Sequence, residues 1–191
     1  MAIKFGTDGW RDKMTADFTI ENVERVAQAY IDYYAAQGVA DQGFFVGYDH
    51  RENSENFARA AAEVISGNGY KVWLSQKACP TQVVSFTVVD QKFCSGVVIT
   101  ASHNPPEYNG FKIKEPQGCS SFPETTDGIM EFLDKNPVKK SNKNVTEHDP
   151  KPAYYAYIRE RIDFKKIKEA GIAIFINPLF GSASNYISEL L

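Results

Sequence analysis

Short apolar runs rich in β-branched residues alternate, over the first 114 residues, with segments whose apolar side chains recur at helical spacing. Runs of the first kind are typical of buried strands, and stripes of the second kind are typical of helices packed on one face. Strands that alternate with such helices form a sheet covered on both faces. We therefore predict a three-layer α/β/α sandwich with a mixed sheet. The predicted strands begin at Ile3 and cover residues 43–49, 71–75, 96–100 and 110–114, and the predicted helices cover residues 20–38, 54–67 and 82–90.

Capping residues define several of these helices. Thr19 and Ser54 have side chains that commonly cap a helix, and each precedes an apolar stripe. A fourth helix is predicted around Ile129, with its cap within residues 125–127. Residues 82–90 are ambiguous, because their four valines favour a strand whereas the preceding Pro80 and Thr81 favour the start of a helix. We predict a helix there.

The last third of the chain differs in character. Residues 136–150 are polar and carry two prolines, which predicts a surface connector. After it the pattern predicts a helix over residues 153–161, a buried strand over residues 172–176 and a helix over residues 181–191. A buried strand needs neighbours, and this segment supplies none. We predict one domain over residues 1–136, a linker over residues 137–150 and the incomplete start of a second α/β domain over residues 151–191.

Composition excludes several classes of function. The 191 residues carry a net charge of only −3 and no basic stripe, so nucleic acid is not an expected partner. The sequence has no long apolar run and no signal-type amino terminus, which predicts a cytoplasmic protein that does not enter a membrane. Cys79, Cys94 and Cys119 are odd in number and lack metal-binding spacing, so we predict that they are reduced and structural.

A polar loop between two predicted strands contains the candidate catalytic residues. Residues 100–106 read TASHNPP, and the strand that follows contains Lys112 and Lys114. The neighbouring hydroxyl of Ser102 and imidazole of His103 raise the alternative of a serine hydrolase. Adjacent side chains in an extended loop tend to point apart, however, and Ser102 lacks the flanking glycines of a nucleophile elbow.

The amino-acid sequence of this loop resembles that of the phosphoserine loop of the phosphohexomutases, the phosphoglucomutase and phosphomannomutase family. Further segments resemble family signatures in the expected order along the chain. They are KFGTDGWR at residues 4–11, GYDHR at 47–51, YNGFK at 108–112, and NPLFG at 177–181, which is similar to the opening of the family's second domain.

The resemblance implies that Ser102 carries a phosphoryl group, passes it to a hexose phosphate to give a bisphosphate, and recovers one after the intermediate reorients. It implies that Arg11 and Lys112 hold the transferring charge, since a phosphoserine bears roughly 1.5 to 2 negative charges. Lys112 is also a candidate for proton exchange with the sugar hydroxyl, and His103 is a second candidate. On the residues alone, Lys112 and Lys114 could instead form the outward side of a strand.

Three further residues are predicted to support the loop or bind phosphate. Asn104 is expected to fix the turn, and Thr100 lies at the end of the strand before it. Arg51 follows another buried strand, where open α/β sheets place their ligands. Arg51 has two equal alternatives at this point, contact with phosphate or an ion pair with Asp49 that braces the loops.

The family also implies a cofactor, an activator and a substrate. Mg²⁺ is bound through the phosphate on Ser102, and its other ligands come from an aspartate-rich loop of a kind that these 191 residues lack. The activator is of the glucose 1,6-bisphosphate type, and the substrate is a hexose phosphate. Without the later domains, residues 1–191 are expected to be inactive alone. The alternatives are a phosphoglucosamine mutase, or a non-catalytic α/β binding domain in which Ser102 is never phosphorylated.

Overall fold

One mixed sheet organises the part of the chain that the computed structural model describes, residues 3–6 and 9–191. Its strands are β1 (Trp10–Lys13), β2 (Phe44–Tyr48), β3 (Val72–Ser75), β4 (Ser95–Ile99), β5 (Tyr108–Lys114) and β6 (Val145–His148). The helices are α1 (Ile20–Ala36), α2 (Ser54–Gly67), α3 (Thr81–Asp90), α4 (Pro123–Phe132), α5 (Lys151–Arg161), α6 (Phe164–Glu169) and α7 (Tyr186–Leu190).

The strand order creates a point where the chain reverses direction across the sheet. The order is β1-β5-β4-β2-β3-β6, with β2 parallel to both β3 and β4. From β2 the chain crosses to β3 on one side, and from β3 it returns to β4 on the other side. The carboxyl ends of β2 and β4 therefore flank a topological switch point, which is where open α/β sheets bind ligands. The antiparallel pairs of β5 with β4 and with β1 make the sheet mixed, as predicted.

Helices cover both faces of the sheet, which confirms the three layers. Phe44 and Val46 of β2 pack in one cluster with the buried residues of α1 and α2. Phe45, which points the other way because side chains alternate along a strand, packs with Val83 and Val84 of α3. The predicted helix over the valine-rich segment is also confirmed, because α3 covers Thr81–Asp90.

The amino-terminal strand is displaced from its predicted position. The sequence predicts a strand from Ile3 with Arg11 in a loop, whereas β1 begins at Trp10 and includes Arg11. The register explains the difference, since Trp10 and Arg11 pair with Phe111 and Gly110 of β5. Long-range pairing, which the local pattern does not show, places this edge strand.

Two predicted caps are wrong. Ser54 is the first residue of α2, and the capping position belongs to Asn53, whose φ of 59° lies in the left-handed region. The Ser54 hydroxyl instead donates to Asp49 Oδ1 at 2.8 Å. Helix α4 begins at Pro123, before the predicted residues, since proline is well suited to the first turn. Thr19 does cap α1, because its Oγ1 accepts from Asn22 N at 3.3 Å.

The predicted connector contains a strand that the sequence did not indicate. Strand β6 pairs in parallel with β3, with Val145 opposite Val72. Its sequence VTEH has only one aliphatic residue, so no apolar run marks this edge strand. The preceding residues are attached to the helices, since Lys139 N donates to Gln28 Oε1 at 3.1 Å and Ser141 N to Glu63 O at 3.0 Å. The domain limits at residues 136 and 151 remain a prediction.

The predicted buried strand over residues 172–176 is wrong for this chain. These residues form no strand, and Ile172 and Phe175 are 64% and 92% exposed. A strand forms only when a neighbour supplies hydrogen-bond partners, and no strand follows β6 in the described residues. The predicted helix over residues 181–191 is reduced to Tyr186–Leu190, while the one over residues 153–161 is present as α5.

The thiols differ in exposure, which leads to a testable expectation. Burial raises the pKa of Cys79 to about 11 and that of Cys94 to about 12, while Cys119 is exposed. Because the thiolate is the reactive form, a raised pKa keeps both buried thiols protonated and inert at pH 8. We expect a thiol reagent at pH 8 to modify only Cys119 in the folded chain and all three cysteines in denaturant. Rapid modification of Cys79 in the folded chain would contradict this placement.

Candidate active site

Ser102 lies at the surface, just beyond the carboxyl end of β4. It is exposed, and its φ of 58° lies in the left-handed region that a non-glycine residue rarely adopts. Its backbone N donates to Thr100 Oγ1 at 3.0 Å, so Thr100 helps to hold this conformation. Strained backbone of this kind clusters at functional sites. The hydroxyl is thus available to a ligand and is not sealed in the core.

Arg51 holds the serine loop from the end of β2. Its Nη2 donates to the carbonyl oxygens of Ser102 at 2.8 Å and Asn104 at 2.7 Å, and its Nη1 donates to those of Pro105 at 2.8 Å and Tyr108 at 3.1 Å. Its Nε lies 3.3 Å from Asp49 Oδ2. A guanidinium has five N–H donors, and the four on Nη1 and Nη2 are all donated to carbonyl oxygens of the loop, while Nε forms the ion pair with Asp49. Of the two alternatives for Arg51, the contacts favour bracing of the loop.

Arg11 reaches the same loop from β1. Its Nη1 donates to Asn104 Oδ1 at 3.1 Å, so the Asn104 side chain joins the loop to the amino-terminal strand. The Arg11 stem crosses Gly110, because a Cβ on Gly110 would lie 2.9 Å from Arg11 Cγ. Gly110 therefore gives this arginine its path to the serine loop. Thr7 and Asp8 of the amino-terminal motif lie outside the described residues.

The two lysines of β5 are buried, which excludes the alternative of a solvated strand face. Lys112 and Lys114 are each 6% exposed. Lys112 pairs with Val98 of β4, and its neighbours Phe111 and Ile113 point into the core beneath α1, so Lys112 lies on the other face. Lys114 Nζ donates to Ser120 Oγ at 3.2 Å, a structural contact away from the loop.

A cleft of about 780 Å³ opens at the serine loop. The side chains that line it include Asp49, Arg51, Ser102, His103 and Asn104, and the opposite wall is formed by residues 179–182. The structure thus brings the loop residues together, whereas Arg11 and Lys112 are not in this lining. Arg11 contacts the loop through Asn104, and Lys112 is buried on β5. The volume is of the size of small-molecule sites.

The His103 imidazole lies beside the Ser102 hydroxyl, with Nδ1 3.4 Å from Oγ. This distance is long for a hydrogen bond that activates a nucleophile. The loop also joins strand β4 to strand β5, whereas a nucleophile elbow joins a strand to a helix. The geometry therefore disfavours the hydrolase alternative and leaves His103 as an exposed imidazole next to the Ser102 hydroxyl.

Comparison with known proteins identifies the architecture. The family model for phosphoglucomutase/phosphomannomutase, alpha/beta/alpha domain I, matches residues 2–140, which include every predicted site residue. The chain belongs to this family.

Individual members of the phosphoglucomutase/phosphomannomutase family support the assignment. The chain is 35% identical over 152 residues to a probable phosphoribomutase of Schizosaccharomyces pombe, covering 76% of this chain and 26% of that protein. It is 29% identical over 211 residues to a phosphoglucomutase of Komagataeibacter xylinus, covering 99% and 38%. The crystal structure of a putative phosphomannomutase from Thermus thermophilus superposes with a TM-score of 0.77 at 32% identity, covering 86% and 37%. The chain thus spans between about a quarter and two fifths of these relatives.

Mg²⁺, on which the family depends, has no complete site among the residues that the structure describes. Among residues 3–6 and 9–191, no group of three or more His, Cys, Asp or Glu side chains could hold a metal ion. The cleft does contain the Ser102 hydroxyl and the Asp49 carboxylate, but Asp49 already binds Arg51 and Ser54. The described residues by themselves therefore do not form a complete magnesium site.

Two buried polar residues of the site were missed in the sequence. The sequence predicts Ser54 only as a cap, and it gives Asn109 only as part of the YNGFK motif. Asn109 is fully buried, and its Nδ2 donates to Ser54 Oγ at 2.9 Å. Asparagine is unfavourable in strands, so an asparagine within a strand-like run was the available signal. No local pattern connects it to a serine 55 residues earlier.

Proposed function

We propose that this chain is the phosphoserine-carrying, N-terminal part of a phosphohexomutase that interconverts hexose 1-phosphate and hexose 6-phosphate. The single observation that carries the proposal is Ser102, exposed in a strained, braced loop at the switch point of a phosphoglucomutase/phosphomannomutase domain. The incomplete second domain belongs to the same proposal, since the chain covers only part of its relatives.

The proposed reaction consists of two phosphoryl transfers in opposite directions. In the first, the P–O bond to Ser102 Oγ breaks, a bond from phosphorus to the sugar hydroxyl forms, and the hydroxyl proton passes to a base. In the second, after the bisphosphate has reoriented, the bond from its other phosphorus to the sugar oxygen breaks, a bond from that phosphorus to Ser102 Oγ forms, and the base gives the proton back to the sugar oxygen. Such transfers need positioning and charge neutralisation more than covalent help. Arg11 supplies positive charge next to the loop. Lys112 has one of two roles, as an ammonium that adds positive charge or as a neutral amine that takes the proton, and His103 is the other candidate base.

Mg²⁺ enters this proposal through the phosphate on Ser102, with its other ligands outside the 191 residues. When bound, the ion supplies charge neutralisation at the transferring group. The described residues of this chain have a different task. Arg51 and Thr100 keep Ser102 turned toward the cleft, and Asn104 links the loop to Arg11.

The relatives widen the range of sugars that should be tested. One similar protein is named for ribose and another for glucose. Glucosamine phosphate remains an alternative from the sequence. The sugar-reading segments are expected in later domains, so substrate assays should include hexose, hexosamine and pentose monophosphates. A bisphosphate of the glucose 1,6-bisphosphate type is the expected activator.

The proposal is tested by mass spectrometry of the full-length protein, which detects a phosphate on Ser102. In the full-length protein, by which we mean these residues together with the further domains of the family, we expect the addition of one phosphate. Ser102→Ala should remove it, and Ser188→Ala, which changes an exposed serine of α7, should leave it in place. A folded full-length protein with an unmodified Ser102, even after incubation with sugar bisphosphate, would favour the non-catalytic binding domain instead.

The incomplete chain leads to a separate expectation. Residues 1–191 alone should show no turnover in a coupled mutase assay, since the sugar-reading and metal-binding loops are expected elsewhere. Normal activity of residues 1–191 would contradict the expectation that the sugar-reading and metal-binding loops lie in other domains.

A further inference from the structure

A line of hydrogen bonds runs from Asn109, at the start of β5, to the arginine that braces the serine loop. Asn109 Nδ2 donates to Ser54 Oγ at 2.9 Å, and Ser54 Oγ donates to Asp49 Oδ1 at 2.8 Å. Asp49 Oδ1 also accepts from Arg51 N at 3.0 Å, and Asp49 Oδ2 lies 3.3 Å from Arg51 Nε. The line connects β5, the first turn of α2 and the end of β2.

The direction of every bond in this line is fixed by chemistry. A carboxylate only accepts, so the Ser54 hydroxyl must donate to Asp49 and accept from Asn109. Asn109 Oδ1 accepts from Gly110 N at 2.9 Å, which assigns the amide nitrogen to Ser54. Ser54 is 1% exposed and Asn109 is fully buried. Water therefore has little access to the bond between Asn109 and Ser54, and the donors and acceptors along the line have one arrangement.

This arrangement determines where Arg51 can lie. Both oxygens of Asp49 are engaged, one by Ser54 and the Arg51 backbone and the other by the Arg51 guanidinium. The guanidinium is thereby oriented toward four carbonyl oxygens of the loop between residues 102 and 108. Substitution of Ser54 would therefore alter the position of Asp49 and, through it, of Arg51, which binds the carbonyl oxygen of Ser102. Ser54 itself has no hydrogen bond to the loop.

We propose that Ser54 and Asn109 are positioning residues for phosphoryl transfer at Ser102, acting through Asp49 and Arg51. This inference rests on the proposed function. Displacement of a reacting group by about 1 Å can cost about a hundredfold in rate, so a loop bound at its carbonyls needs a rigid support. Ser54 and Asn109 are buried and do not line the cleft, and Ser54 acts on it through Asp49, which does line it.

Ser54→Ala tests the support in the 191-residue chain, with Ser66→Ala as the matched control. Ser66 is a buried serine of the same helix, and its Oγ accepts from Asn144 N at 3.0 Å, far along α2 from the loop. Each variant removes one buried hydroxyl. Hydrogen exchange of the loop amides at residues 102–104, 107 and 108 should accelerate about tenfold in Ser54→Ala and remain unchanged in Ser66→Ala, after correction for global stability. Equal, global acceleration in both variants would overturn the proposal.

Asp49→Asn provides a second variant if Ser54→Ala fails to fold. It keeps an oxygen acceptor for Ser54 but removes the charge that orients Arg51. The same loop-specific acceleration is expected.

A second measurement separates positioning from stability. In the full-length protein with phosphate on Ser102, Ser54→Ala should slow transfer to saturating hexose monophosphate about tenfold, with the half-saturating sugar concentration unchanged. Ser66→Ala should change neither. Faster loop exchange with an unchanged transfer rate would overturn the proposal. If wild-type Ser102 is never phosphorylated, the proposed function fails, whereas a phosphorylated Ser102 that is indifferent to Ser54→Ala contradicts the positioning role alone.

Discussion

Arg51→Ala is expected to lower the free energy of unfolding of the 191-residue chain by about 3 kcal/mol, because it leaves a largely buried carboxylate without its cation. The Asp49 and Arg51 side chains are each 14% exposed, and four loop carbonyls lose their donor. Urea denaturation measures the loss. Arg51→Lys keeps the charge but cannot form the forked set of bonds, so it should recover less than half of the stability.

Arg59→Ala is the matched control for Arg51. Arg59 lies on α2, its side chain is 43% exposed, and it pairs with Glu55 and Glu147 on the surface. Exposed pairs contribute little, so the expected loss is below about 1 kcal/mol. Similar losses for Arg51→Ala and Arg59→Ala would show that the bonds to the serine loop contribute no more than a surface pair.

Gly9→Ala should destabilise the chain by about 4 kcal/mol, through backbone strain and a backbone clash together. Gly9 has a φ of +93°, and a Cβ there would lie 2.2 Å from Phe111 O and 2.9 Å from Lys112 Cα. Both contacts are backbone atoms of β5, so relief requires the strand that carries Lys112 to move. Thermal or urea denaturation measures the effect.

Gly69→Ala separates the two contributions. Gly69 has nearly the same φ, +95°, but its Cβ would meet nothing within 4 Å. Its substitution should cost only the strain of the left-handed conformation, about 1 to 2 kcal/mol. Equal losses at the two glycines would mean that the segment around Gly9 does not lie against Lys112 as described.

The interior of the fold was predictable from the sequence, and its edges were not. Strands β2 and β4 are buried on both faces, so they appear as continuous apolar runs. The edge strands β1 and β6 read WRDK and VTEH, and they exist because a neighbour pairs with them. The converse error occurred at residues 172–176, where a strand-like pattern without a neighbour remained exposed.

The site was predictable as a set of loop residues but not as a network. The resemblance indicated Ser102, Arg11 and Lys112, and the structure shows an exposed hydroxyl with Arg11 bonded to its loop. The bonds from Arg51 to four carbonyls span 51 to 57 residues of sequence. A hydrogen bond between a backbone oxygen and a distant side chain leaves no pattern in a single sequence. The bonds from Arg51 to the loop could therefore not be predicted from the sequence.

The most direct test of the account follows the phosphate of Ser102. Full-length protein labelled with radioactive phosphate on Ser102 is mixed with unlabelled hexose monophosphate, and protein and sugar are separated at intervals. We expect the label to leave the protein and to appear in a hexose bisphosphate, and unlabelled phosphate to replace it on Ser102. Label that stays on the protein, or that is released only as inorganic phosphate, would contradict the role of Ser102 as the carrier.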